Sequence, residues 1–231
     1  EQLKKLANEL TEQGTDIIIS KTDVSIESDC RELINKTLER FGRIDVLINN
    51  AGISMRALFK DLDLIVFEKL MKTNFWGTVY CTKFAIPHLL KNRGSVVGVS
   101  STAGFIGLPG RTAYSASKFA MNGFLEALRI ENRKTGIHVM IIAPGFTSSN
   151  IRKTALGPDG NQQGESPRDE NRMMSAEKVA KYIRRGVKYR KNRIILTYKG
   201  KMVTLLRRIF PELIDRQAYN EMAKEPDSPF K

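Results

Sequence analysis

The chain has 231 residues, is 41% hydrophobic and 27% charged, and carries a formal charge of +13. That length and apolar content can bury a full core, which excludes a disordered or fibrous polypeptide, and α/β sheets of this size commonly form one domain. No apolar run approaches the ~20 residues of a membrane span, and Cys30 and Cys81 are too few for a disulfide framework.

In chain order, residues 1–13 predict the end of a helix and Asp16–Ser20 a strand. Residues 26–41 predict a helix with Leu33, Ile34, Thr37, Leu38 and Phe41 on its inner stripe. Val46–Asn49 is the next strand, followed by a helix over about 63–91, a strand over 95–100, a helix over 113–134 and a strand over 137–143. A polar stretch at 147–174, broken by Gly157-Pro158-Asp159-Gly160 and Gly164, precedes a helix at 176–189 and a strand at 193–196. In 199–214, Met202, Val203, Leu205, Leu206, Ile209 and Phe210 mix with Lys199, Lys201, Arg207 and Arg208, a basic amphipathic helix that Pro211 ends. The stretch Glu225-Pro226-Asp227-Ser228-Pro229 reads as a loose tail. Strands alternating with helices predict an α/β protein with a parallel sheet covered on both faces. No internal repeat is present. His88 and His138 have no partner at metal-ligand spacing, nor do the cysteines, so no metal site is expected and both histidines read as structural. The cysteines read as free thiols of a reducing, cytoplasmic compartment.

Chemistry concentrates between residues 95 and 118. Ser95-Val96-Val97-Gly98-Val99 is an apolar run of the buried-strand type, and it delivers Ser100-Ser101 at its carboxyl end, the edge where open α/β sheets bind ligands. Ala103–Gly110 is a loop punctuated by Gly and Pro that can fold back over that edge. Tyr114 and Lys118 are four residues apart, about one helical turn. They share a helix face, where the ammonium favours the phenolate and lowers the Tyr pKa from ~10 towards neutrality. Ser101 and Tyr114 are thereby candidates to converge on one substrate oxygen.

Ser101, Tyr114 and Lys118 resemble the catalytic motif of the classical short-chain dehydrogenase/reductase family. Three further stretches match in register: Asn49-Asn50-Ala51-Gly52 after Val46-Leu47-Ile48, Asn74 in the following helix, and Pro144-Gly145 after Val139-Met140-Ile141-Ile142. The similarity runs from about Leu3 to Leu196. It implies a doubly wound, Rossmann-like single domain over 1–198, with 147–174 as a mobile substrate lid, and a C-terminal basic helix and polar tail over 199–231. It also implies hydride transfer between a nicotinamide cofactor, NADP as the preferred expectation or NAD, and a carbonyl or secondary alcohol. Ser101 would hold the substrate oxygen, Tyr114 would give or take its proton, and Lys118 would stabilise the phenolate and bind the nicotinamide ribose. Asn74 would distort its helix and hold a water that relays protons from Lys118. Asp23 and Val24 resemble the pair that contacts adenine, although Asp23 also suits capping of the helix that follows. Asn50, Ala51 and Gly52 resemble the turn beside the adenosine ribose, where a side chain on Gly52 would obstruct the approach. Pro144, Gly145, Thr147 and Ser149 fall where the family lines the nicotinamide, with Ser149 standing where Thr is more usual.

One part of the family pattern does not appear: no Gly-rich phosphate loop precedes the first expected strand. The expectation is that ~35 to 40 residues carrying the first βαβ unit belong in front of Glu1, the rival being a naturally truncated, non-binding homologue. Without that unit Ile17–Ile19 would lie unpaired, and the residue that selects NAD or NADP is not in view. Phe105, Ile106, Leu108, Phe146 and Met173 or Met174 would make an apolar pocket, suited to a lipid-like, steroid-like or aromatic substrate. Between Lys178 and Arg208 there are twelve Lys or Arg and no Asp or Glu, a block that fits peripheral contact with an anionic membrane or a solvated basic face beside a partner subunit. A homodimer or homotetramer through the helices at 113–134 and 176–189 is implied by the resemblance. Nucleic-acid binding rests on charge alone, since there is no zinc spacing or aromatic RNA motif. A non-catalytic scaffold of the same fold is the remaining alternative.

Overall fold

Four apolar segments pair in parallel to make the sheet of the computed structural model, which describes residues 1–166, 168–170, 173–226 and 228–230. They are β1 (Val46–Asn49), β2 (Ser95–Val99), β3 (His138–Ala143) and β4 (Arg193–Ile195), in the spatial order β1-β2-β3-β4. Every pair is parallel, with Ile48 opposite Val97 and Val97 opposite Met140. Successive side chains of a strand point to opposite faces, so a strand covered on both sides is apolar throughout. On one face Val96, Val139 and Ile141 pack with Ile34, Leu89 and Leu125. These last three come from α2 (Glu27–Phe41), α4 (Gly77–Lys91) and α5 (Thr112–Glu131). On the other face Val97, Met140 and Ile142 pack with Ile183 and Val187 of α6 (Ala176–Lys188).

Close approach of α5 to the sheet depends on Gly98 of β2, where an added Cβ would collide with the Leu125 side chain. That contact sets the height of α5, and with it the height of Tyr114 and Lys118, above the end of β2.

Three expectations need correction. Asp16–Ser20 follows α1 (Gln2–Glu12) but forms no strand, because no described strand lies beside it to complete its ladder. β1 is consequently an edge, with Val46 and Ile48 exposed. The helix expected over 63–91 is present as an unbroken run, in which α3 (Leu64–Leu70) passes through a π turn at Met71–Trp76, the local distortion expected at Asn74, into α4. Pro211 does not end the basic helix, since α7 (Tyr198–Leu206) stops earlier and Pro211 opens α8 (Pro211–Ala223). Proline lacks the N–H that the first helical position leaves unused, which favours this placement. The tail beyond α8 is not loose at its start: the Glu225 side chain is 4% exposed and ion-paired. None of the described helices is long and apolar enough to cross a membrane.

Candidate active site

β2 ends at Val99 and releases Ser100 and Ser101 at the carboxyl edge of the sheet. Ser101 is extended, and its Oγ accepts the Ala103 N–H at 3.2 Å to cap a short 3-10 turn at Thr102–Gly104. The chain then turns through Gly110, whose φ of +67° suits glycine, and enters α5. Tyr114 and Lys118 lie in its first turns and face the same edge.

Lys118 is almost fully buried and donates from Nζ to the Val99 carbonyl at 2.9 Å. Burial pushes its pKa down to about 8. Its Nζ is 5.9 Å from the centre of the Tyr114 ring. Ser101 and Tyr114 line the same cavity, and Ser101 acts on the phenol as a hydrogen-bonding group. Burial raises the phenol pKa, and the bond to Ser101 and the charges of Arg111 and Arg152 pull it back only in part. This corrects the expectation that Lys118 lowers the tyrosine: desolvation is the larger effect, and Lys118 Nζ donates to the Val99 carbonyl rather than to the phenol.

The π turn places Asn74 inside the protein, with no exposed surface. Asn74 Oδ1 accepts the Ile53 N–H at 2.8 Å, while Nδ2 donates to the Ile53 carbonyl at 3.0 Å and to Ser117 Oγ at 2.9 Å. One side chain thus ties the 50–53 turn to α5. Gly52 sits against this junction, where an added Cβ would come within 3.1 Å of Asn74 Oδ1 and 3.4 Å of Lys118 Nζ. A glycine is needed there for the packing of these two side chains, a reason separate from the ligand approach the sequence suggested.

A cavity of about 590 Å³ opens at this edge, lined by Asn50, Gly52, Ser101, Tyr114 and Lys118 on one side. Pro144, Gly145, Thr147 and Ser149 line the other. Thr147 and Ser149 turn their hydroxyls to the carbonyls of Gly145 and Thr147, at 3.2 and 3.5 Å. Ala51, between Asn50 and Gly52, is exposed. Asp23 and Val24 are not on the cavity. The Asp23 carboxylate accepts the N–H and hydroxyl of Ser25 in a tight turn before α2 and does not cap that helix. Val24 covers the start of α4, where Gly77 leaves it room. Of the expected pocket-forming apolar residues, Leu108 and Phe146 line the cavity, and Phe105 packs against the sheet core instead.

Several residues escaped the sequence reading. Arg152 pairs with Glu170 at 2.6 Å, and Arg56, Arg111 and Arg168 surround Glu225, drawn from segments with nothing in common but their destination. Cys30 and Cys81 prove to be neighbouring buried thiols, whose burial raises both pKa values. His138 is held between Ser95 Oγ and the Lys191 carbonyl, each at 3.1 Å.

A parallel sheet with helices on both faces, and a Ser-Tyr-Lys cluster at the carboxyl ends of its strands, defines a Rossmann-like α/β protein. The chain belongs to the short-chain dehydrogenase family, whose sequence model matches residues 1–158. A peanut (Arachis hypogaea) protein named 11-beta-hydroxysteroid dehydrogenase A is 41% identical over 157 residues, covering 68% of this chain and 44% of that protein. The chain spans about half the length of the curated relatives it matches. Among solved structures, a short-chain dehydrogenase/reductase from Burkholderia phymatum, in complex with NAD, superposes with a TM-score of 0.80 at 21% identity, over 91% of this chain and 82% of that one. An alcohol dehydrogenase from Thermococcus sibiricus, complexed with 5-hydroxy-NADP, gives 0.74 at 23% identity, over 84% and 80% of the two chains. Both likenesses establish the fold.

Proposed function

We propose that the protein is an NAD(P)-dependent oxidoreductase acting on a carbonyl or secondary alcohol. The observation that carries this reading is the convergence of Ser101, Tyr114 and buried Lys118 on one cavity at the carboxyl edge of the sheet. The residues present fit a nicotinamide group: the cavity lies in the ~300–1,000 Å³ range of small-molecule sites, and Asn50, Thr147 and Ser149 bring hydrogen-bonding groups to its walls. Asn50, Gly52, Lys118, Pro144, Gly145, Thr147 and Ser149 would hold that end, with Ala51 adjoining, and the resemblance assigns Asp23 and Val24 to the adenine end. The cofactor supplies hydride transfer when bound.

The remaining work falls to this chain. Ser101 holds the substrate oxygen, and Tyr114 gives or takes the proton at its phenolic oxygen. Lys118, with a pKa near 8, stays mainly protonated at neutral pH and stabilises the phenolate as it forms. Asn74 acts as a positioning residue for the 50–53 turn, because its amide is already committed to Ile53 and Ser117. The implied water relay would have to pass beside that amide. Leu108 and Phe146 support an apolar substrate, and the hydroxysteroid dehydrogenase name of the peanut relative points the same way.

The test is a fluorescence titration of the full-length protein with NADPH and with NADH, following energy transfer from Trp76 and the tyrosines. Saturable binding, tighter for NADPH, is the expected result. Binding of neither would transfer support to the non-catalytic scaffold.

A peripheral membrane contact belongs to the same reading. At the elbow between α7 and α8, Leu205, Ile209, Phe210 and Leu213 are each more than half exposed, with Arg207 and Arg208 among them. Apolar side chains flanked by cations suit an anionic lipid surface. Co-sedimentation with phosphatidylserine vesicles should retain the protein, and Phe210→Glu should release it. Equal retention of both forms would remove the elbow as the contact.

A further inference from the structure

Three guanidinium groups from three separate segments converge on the Glu225 carboxylate. Arg168 Nε donates to Oε1 at 2.8 Å, Arg111 Nη2 to Oε2 at 3.3 Å, and Arg56 Nε lies 3.6 Å from Oε2. The ion pairs that these three make among the described residues all run to Glu225. Among the described residues, three positive charges therefore share one negative charge, with Arg56 and Arg111 largely buried and Arg168 partly so. Buried charge of one sign is costly unless it is paired.

The shortage of acceptors is visible atom by atom. The Arg56 side chain is 8% exposed, and its Nε has no hydrogen-bond partner, although Nη2 reaches the Pro226 carbonyl. Burial, together with the charges of Arg56 and Arg168, pushes the Arg111 guanidinium down to about 10 against the opposing pull of Glu225. Arg152, nearby, shows what a balanced site looks like, because Glu170 neutralises it one to one.

Position connects this cluster to the chemistry. Arg111, Arg168 and Glu225 line the same cavity as Tyr114 and Lys118, and the Arg111 charge acts on the Tyr114 phenol. The lining also includes Leu108, Phe146 and Met222, and the Arg168 guanidinium lies 3.9 Å over the Phe146 ring.

We propose that Arg111 and Arg168, backed by Arg56, form an anion subsite of the substrate cavity, and that the substrate is an apolar carbonyl or alcohol compound bearing a carboxylate. Planar guanidinium forks match carboxylates in geometry, and Glu225 already demonstrates the pairing from within the chain. The ligand carboxylate takes the donors that Glu225 leaves short and competes with it for Arg111 and Arg168. Calling that anion a substrate group rests on the oxidoreductase reading; the existence of the subsite does not.

The deciding experiment is isothermal titration of the full-length protein, without nucleotide, against sodium octanoate and against octan-1-ol. Octanoate is expected to bind at least about tenfold more tightly, the increment of a charge-assisted hydrogen bond. Arg168→Gln should erase that preference, Arg168→Lys should keep most of it, and Glu225→Gln, which removes the internal competitor, should tighten octanoate several-fold. Equal affinity for the two probes, binding of neither, or a preference that survives Arg168→Gln overturns the proposal. If Arg168→Gln does not fold by circular dichroism, Glu225→Gln decides, and no gain in octanoate affinity overturns it. Failure here leaves the nucleotide titration untouched, so the two readings fall separately.

Discussion

Replacing Tyr114 with Phe is expected to lower turnover by ~10²–10⁴-fold, the worth of a positioned acid/base group, while NAD(P)H binding stays near the unmodified value. The substitution deletes one oxygen and keeps the ring, which packs against the cluster of Met55, Leu70 and Leu156, so thermal stability should change little. Turnover with a carbonyl substrate and the nucleotide titration are the two readouts. A loss smaller than about tenfold would show that the proton comes from elsewhere. The effect should be large because burial holds this phenol in its neutral form, and only the local contacts with Ser101 and the nearby cations make its release easier.

Asn74→Ala is the second large effect, and it falls on stability. The substitution leaves the Ile53 N–H and carbonyl without partners in a part-buried turn, while Ser117 retains its bond to the Tyr114 carbonyl. Each orphaned buried group costs about 1–3 kcal/mol, so the loss should be about 2–6 kcal/mol, read as a lower midpoint in urea. A change under about 1 kcal/mol would mean that water reaches Ile53 freely and that the tie between the turn and α5 is weak. Because Gly52 and Lys118 both abut Asn74, the variant should also lose turnover in whatever protein remains folded.

Local pattern was sufficient for the strands. Val96 to Val99 and Val139 to Ile142 are apolar at every position except Gly98, which only a strand buried on both faces requires, and they appear as β2 and β3 within a residue or two of expectation. Spacing was sufficient to bring Tyr114 and Lys118 onto one helix face, because a helical turn is set by the backbone alone. The position of Ser101 followed from the strand that carries it.

Interactions that cross the fold were not legible in the same way. Nothing around Arg56, Arg111, Arg168 and Glu225 marks them as partners, and the Pro-broken composition of the tail argued for looseness until its carboxylate met three arginines. The distortion at Asn74 was expected from the family resemblance, but its tie to Ile53 and Ser117, which holds the π turn at Met71–Trp76 against the turn after β1, crosses the fold and carries no local signal. Asp16–Ser20 has strand-like composition but no described neighbour, and a strand needs a second strand to exist. The sequence by itself determined the α/β layering and the placing of Ser101, Tyr114 and Lys118 at one sheet edge, because both depend on backbone periodicity and short spacing. The tertiary structure alone decided the cavity's charge balance, the raised phenol and the tie through Asn74, because these depend on burial and on partners distant along the chain.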